Sequence, residues 1–269
     1  MSNYEYLMES KEEVLRLEMK TDPEVVKKQA LWAGIKPGMR VADVGCGSGK
    51  TTSILHQLVQ PGGEAVGVDG SEERIKYAEN KYSDKGIEFR HRNILEPFDD
   101  LGIFDFVWVR FVLEYYLNNS FDIVKNISNI IKPGGILCLI DLDYNALTHY
   151  ELPERLEKTI HSLMNALQKE KNFDPYAGRK LYSYLYDLGY QDIDIDVTAH
   201  HLIFGRLKDE DAANWMKKVE VISKKTGYLF EEYEGGYDEF LFEATGFFTD
   251  PKRFTYTPVI LCRGIKPDV

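Results

Sequence analysis

Residues 43 to 52, DVGCGSGKTT, combine a carboxylate, three glycines at alternate positions, and a lysine followed by two threonines. Three ligand chemistries compete for that string. A triphosphate loop ends in Gly-Lys-Thr, as here, but needs a glycine five positions before the Gly-Lys pair, where backbone N–H groups wrap the phosphates; that position is Val44. A dinucleotide fingerprint, G-x-G-x-x-G, starts at Gly45 and Gly47 but meets Lys50 where its third glycine belongs. Asp43 decides between them and a third option. A carboxylate at the mouth of a phosphate cradle repels the anion that a helix N-terminus attracts, so the turn points to a cationic ligand. A second carboxylate, Asp69, ends the run Glu64-Ala65-Val66-Gly67-Val68 and is followed by Gly70-Ser71. An acid at the tip of a second strand is placed to accept the hydroxyl protons of a ribose.

Positioning these groups takes strands that end in turns. Arg40 to Val44 reads as the first strand, and the pattern then alternates: helix 49–60, strand 64–68, helix 72–83, strand 87–91, strand 104–109, helix 120–131 and strand 135–142. Strands separated by helices imply an α/β fold with a doubly wound, mostly parallel sheet. Pro61-Gly62-Gly63 and Pro133-Gly134-Gly135 are matching helix-to-strand turns, because a helix cannot continue past proline and glycine supplies positive φ. Before the sheet, Tyr4 to Lys20 has helical spacing, and Asp22-Pro23 caps a second helix ending near Gly34. After Tyr144 come an amphipathic stretch from Leu152 to Lys171, a helix over 177–188, a strand over 192–202 and helices over 208–226 and 236–248. The last run, Phe254 to Cys262, is expected as an antiparallel edge strand, the seventh of the sheet.

One domain covers the whole chain in this reading: N-terminal helices (1–36), a ligand-binding core (37–145), lid insertions with sheet completion (146–250) and the closing strand (251–269). Ligands of such sheets bind outside the carboxyl ends of the strands. The insertions carry many aromatics there, among them Tyr150, Phe173, Tyr176, Phe204, Trp215, Phe230, Tyr233, Phe240, Phe242 and Phe248, which either line a lid for a small organic molecule or form the core of a helical layer.

A ribose with a cationic head group, and no required phosphate, describes S-adenosylmethionine. The stretches VADVGCGSGKTT, VGVDGS, RHRNI, FDFVWVRFVLEY and IIKPGGILCLIDLDY, in that order, resemble the motifs of class I S-adenosylmethionine-dependent methyltransferases over residues 25 to 145. The likeness extends to the small-molecule, quinone-biosynthesis type. The resemblance implies that Asp43 and the backbone at Arg110 serve the methionine ammonium, Asp69 the ribose, Gly45 and Gly47 the close turn, and Gly70 the adenosine. It further implies that Asn93 bonds the adenine amino group and the Ile94 N–H a ring nitrogen. Arg16 is either an arm reaching the cofactor carboxylate or a solvated helix arginine.

Composition narrows the partners. With 33 Lys and Arg against 44 Asp and Glu, the formal net charge of -11 repels polyanions, and nucleic acid is not expected as a partner. No apolar stretch approaches the roughly 18 residues of a membrane span, so a cytoplasmic protein is expected. Cys46, Cys138 and Cys262 have no metal-ligand spacing and read as reduced thiols. Asp141 to Asn145 imitates a calcium loop, but Ala146 replaces its glycine and Leu152 its final glutamate; the six histidines lack ligand spacing, and no metal is expected.

Methyl transfer mainly requires alignment, and a base only if the acceptor must lose a proton. His149, Tyr150 and Tyr115 are candidates for that proton, and the sequence selects none of them. The Asn/Asp-Pro-Pro-aromatic turn of enzymes that methylate exocyclic amines and amides is absent: Arg110-Phe111-Val112-Leu113 stands there. A non-catalytic cofactor-binding protein and a nicotinamide oxidoreductase remain as alternatives; Lys50 and Asp43 argue against the second. The oligomeric state is not encoded in these patterns.

Overall fold

The computed structural model describes residues 13–83, 86–207, 219–223 and 226–268. The expected helical residues 4–12, Trp215 and most of the 208–226 segment lie outside them. Eight strands form one sheet: β1 (Arg40–Val44), β2 (Glu64–Asp69), β3 (Glu88–His91), β4 (Phe104–Arg110), β5 (Ile131–Leu142), β6 (His149–Tyr150), β7 (Gln191–Phe204) and β8 (Phe254–Ile265). The described helices are α1 (Glu13–Lys20), α2 (Pro23–Ala33), α3 (Lys50–Leu58), α4 (Glu72–Tyr82), α5 (Ser120–Asn129), α6 (Glu154–Lys171), α7 (Leu181–Asp187) and α8 (Gly236–Thr249).

Strand order is β3-β2-β1-β4-β5-β8-β6, with β7 paired to β8; β1 to β5 are parallel, and β8 is antiparallel to its neighbours. The expected doubly wound sheet is present, and the additional strand is the two-residue β6. The closing strand is placed differently from expectation. β8 lies inside the sheet, between β5 and β7, and β7 is the edge. The reason is visible in the side chains. Val259-Ile260-Leu261-Cys262 is a continuous apolar run, as expected of a strand covered on both faces, whereas Asp192, Asp194 and Asp196 alternate along β7 and keep an edge soluble.

Two apolar layers sandwich the parallel strands. Phe106 and Trp108 of β4, with Cys138 and Ile140 of β5, pack toward α2, α3 and α4. Val107, Val109, Leu137 and Leu139 pack toward α5 and α7. That period of two breaks at Phe104, which joins the second layer although its parity is that of Phe106, because the β4–β5 register shifts between Phe104 and Phe106. A third cluster, built from Leu156 and Leu163 of α6, Ile203 of β7 and Phe230, Tyr233, Phe240, Phe247 and Phe248, forms its own core beyond the carboxyl ends of the strands. Phe173, Phe230, Tyr233, Phe240 and Phe248 therefore serve as core, while Tyr150, Phe204 and Phe242 are exposed.

Local signals fix the helix ends. Asp22 accepts from the N–H groups of Glu24 and Val25 with Pro23 in the first turn, and Gly34 closes α2 at φ 100°. Ser71 caps α4 by accepting from Arg74 N.

Candidate functional site

β1 ends at Val44, and the chain turns through Gly45, Gly47 and Gly49, all at positive φ. A Cβ on Gly45 would lie 2.3 Å from Val112 Cγ2, and one on Gly49 2.7 Å from Ala78 Cβ, so these positions need glycine for space as well as conformation. Gly45 N and Cys46 N donate to Val68 O, at 2.7 and 2.9 Å, which stitches the turn to β2. Gly47 N donates to Asp69 Oδ2 at 2.8 Å. Asp69 Oδ1 accepts from Ser71 N and from Arg74 Nε, each at 2.9 Å. Three donors thus fix a carboxylate that is 6% exposed, and a carboxylate has about four acceptor positions.

Above this turn opens a chamber of about 740 Å³. Gly45, Gly47, Asp69, Gly70, Asn93, Ile94 and Arg110 all line it, as the sequence reading grouped them. Asn93 also caps its own loop: its Oδ1 accepts from Leu95 N at 3.1 Å. Leu17 and Thr21, from α1 and just after it, close one side. α1 is tied down by Glu18, which accepts from Lys81 Nζ and Tyr82 Oη, and whose carbonyl accepts from Lys50 Nζ at 2.7 Å. Lys50 therefore reaches toward α1.

Two expected site residues are placed elsewhere. Asp43 lies behind the turn, 2% exposed, and accepts from Thr52 Oγ1 at 2.7 Å; it does not line the chamber. Burial pushes its carboxyl up to about 7, the Thr52 hydrogen bond pulls it down, nearby Asp69 raises it and Arg110 lowers it. Arg16 pairs with Glu13 and lines a second, smaller chamber.

That second chamber, about 190 Å³, shares Leu17, Thr21, Arg110, Phe111 and Tyr115 with the first. Its remaining wall is mostly apolar, from α6, Phe173 and α8. Phe111 sits on the boundary at φ 58°, a conformation uncommon for a bulky residue, with its N–H bonded to Ile140 O and its ring against both Arg110 and His200. His200 and His201 enter this chamber where the β7–β8 register slips opposite Pro258, which has no N–H to offer. Arg110 Nε donates to Gln29 Oε1 at 3.2 Å. Burial lowers the Arg110 guanidinium to about 10, against the pull of Asp43 and Asp141, and it remains a cation at neutral pH.

Of the three residues considered for proton transfer, Tyr115 lines both chambers. His149 lines neither: its Nε2 donates to Ala146 O, leaving Nδ1 to accept from Thr255 Oγ1, and burial lowers it to about 4. Tyr150 is 61% exposed on β6. The sequence reading missed Glu114. It is 3% exposed, lines the smaller chamber, and accepts from Asn145 Nδ2 at 2.8 Å. The available signal was a lone acid inside the apolar run FVWVRFVLEYY.

A parallel sheet ordered in this way, with a glycine turn after β1 and an acid at the tip of β2, defines a nucleoside-binding fold of the methyltransferase type. The chain belongs to the methyltransferase domain family, whose profile matches residues 35–189. Demethylmenaquinone methyltransferase of Bacillus subtilis (strain 168) is 36% identical over 110 residues, 39% of this chain and 46% of that protein. The Bacillus cytotoxicus protein of the same name is 34% identical with the same coverage. The chain thus spans about half the length of the curated relatives it matches. YcgJ of Bacillus subtilis shares the fold with a TM-score of 0.60 at 17% identity, over 92% of this chain and 100% of that one. Phosphoethanolamine N-methyltransferase 2 of Haemonchus contortus, solved with S-adenosyl-L-methionine, has a TM-score of 0.54 at 15% identity, over 91% of this chain and 52% of that one. Among the described residues no group of side chains could hold a metal, and no helix is long and apolar enough to cross a membrane. All three cysteines are buried free thiols.

Proposed function

We propose that the chain is an S-adenosylmethionine-dependent methyltransferase of the cytoplasm acting on a small organic acceptor, with the cofactor in the larger chamber and the acceptor in the smaller. The observation that carries this reading is that the two chambers adjoin: the one lined by Asp69 and the mostly apolar one share Leu17, Thr21, Arg110, Phe111 and Tyr115 as lining. The residues fit that cofactor. The glycine cradle admits a close ligand, Asp69 Oδ2 retains acceptor capacity for a ribose hydroxyl, and Ile94 and Asn93 border the same space. They do not suit a triphosphate, since Lys50 is bonded to the Glu18 carbonyl and the Asp69 carboxylate faces the same chamber.

When bound, the cofactor supplies a methyl group already activated on a positively charged sulfur. The protein's part is orientation and exclusion of water. Asp69, Gly70, Asn93 and Ile94 hold the nucleoside; Arg110, fixed by Gln29, and Asp43 behind the turn set the local field; Leu17 and Thr21 cover the opening. The formal net charge of -11 supports a small acceptor over nucleic acid.

Incubation with methyl-labelled cofactor and a metabolite extract tests the reading. A labelled low-mass product is expected. Label only in protein or RNA contradicts the acceptor class, and tight cofactor binding without transfer to any fraction favours a non-catalytic binding protein.

A further inference from the structure

The smaller chamber is mostly apolar, with Arg16, Lys20, Arg110, His200 and His201 among its polar groups, and Glu114 is the one carboxylate among the described residues of its lining. Glu114 reaches this wall from the 3₁₀ turn that follows β4, three residues after Phe111 on the shared boundary. Asp141, fully buried at the end of β5, accepts from Glu114 N at 3.1 Å and from Leu142 N at 2.9 Å. Asn145 Nδ2 orients the Glu114 carboxyl at 2.8 Å. Backbone donors and an amide thus lock the pair from two strands' ends. Burial, reinforced by the neighbouring Glu114, pushes the Asp141 carboxyl well above the usual carboxylate range.

We infer that Glu114 is the acceptor-binding base of the smaller chamber, and that the acceptor is a compact, single-ring apolar molecule carrying one ionisable hydroxyl. This rests on the reading of the larger chamber as the methyl-donor site.

Size supports the ring. An engineered apolar cavity of about 150 Å³ admits benzene, so about 190 Å³ admits a ring with a short substituent. Leu163, Met164, Phe240 and Phe248 provide walls for it. Polarity supports the hydroxyl: Glu114 offers it an acceptor, and Arg110, on the shared boundary, offers a countercharge. The step is a proton transfer. The acceptor's O–H bond breaks, its electron pair stays on the acceptor oxygen, and the proton ends on a Glu114 oxygen. Negative charge moves from the carboxylate to an oxygen that faces the Arg110 boundary. Asp141 and Asn145 are positioning residues in this arrangement.

The test compares 4-propylphenol with propylbenzene, titrated calorimetrically into the full chain without cofactor. A hydrogen bond to a charged group is worth about ten- to a hundredfold in affinity. Wild-type protein is expected to prefer the phenol by at least about tenfold. Glu114→Gln, which keeps only a neutral acceptor, should lower the ratio by at least about threefold while leaving propylbenzene affinity within about twofold, and Leu163→Trp, which fills the chamber, should weaken both probes by more than about tenfold. Equal affinities in the wild type, a ratio that Glu114→Gln does not lower, or binding that survives Leu163→Trp would overturn the inference. The wild-type ratio decides even if a variant does not fold. A separate titration with S-adenosylhomocysteine scores the parent reading: its failure to bind removes the methyl-donor site without altering the phenol-to-propylbenzene ratio.

Discussion

Gly47 N donates a hydrogen bond to Asp69 Oδ2 at 2.8 Å, so the turn after β1 and the tip of β2 are a single bonded unit. Under the proposed cofactor reading, ligand affinity and turn geometry are coupled through this one carboxylate. Asp69→Asn keeps the shape but presents a donor where an acceptor is needed. S-adenosylhomocysteine affinity should fall by about ten- to a hundredfold, measured by calorimetry, with the far-ultraviolet dichroism unchanged.

The glycine requirement is separable from the ligand. Gly45→Ala places a Cβ against Val112 Cγ2 at a φ of 81°. Denaturant unfolding should show a loss of about 1–3 kcal/mol. Val112→Ala in the same chain should recover the steric part and leave the backbone strain, and a double-mutant cycle reads the coupling directly.

Asp43 gives a pH signature. Its folded-state value, raised to about 7, exceeds the ordinary 3.8, so the folded chain binds this proton more tightly than the unfolded chain. Its contribution is fully present below about pH 4 and is lost as pH rises through about 7, a change on the order of 4 kcal/mol at most. Asp43→Asn should flatten that slope relative to wild type in melts from pH 4 to 8. An unchanged slope would contradict the buried, proton-retaining placement.

The helical layer over the strand ends is held by its rings. Phe240 is 1% exposed, its ring centroid 4.6 Å from that of Phe230 in a tilted pair and 5.6 Å from that of Tyr233 edge-to-face. Phe240→Ala should cost about 3–5 kcal/mol in chemical denaturation and enlarge the smaller chamber. A loss below about 1 kcal/mol would show that this layer is not a core.

Much of this was readable in the chain. Gly45, Gly47 and Asp69 are legible in local spacing and Asn93 and Ile94 through the family resemblance, and all five line one chamber. The layered sheet follows from apolar runs set off at Pro61; Pro133, expected in a helix-to-strand turn, instead falls inside β5. The β-branched and aromatic alternation of β8 suits an edge as well as an interior strand, and only its apolar run Val259 to Cys262, set against the alternating acids of β7, marks it as interior. Glu114 was out of reach for another reason. Its significance comes from Asp141 and Asn145, 27 and 31 positions away, which only the closed fold brings to it. The Arg110 side chain was overlooked because the family likeness pointed to its backbone, while Gln29 and Phe111 hold the guanidinium between the chambers.

Titration of the wild-type chain and of Lys50→Met with S-adenosylhomocysteine, ATP and NAD tests the central assignment most directly. Lys50 is bonded to the Glu18 carbonyl, so both proteins should bind S-adenosylhomocysteine within about threefold of each other and neither should bind the phosphate ligands. Binding of ATP or NAD that disappears in Lys50→Met, with no binding of S-adenosylhomocysteine to either protein, would contradict it.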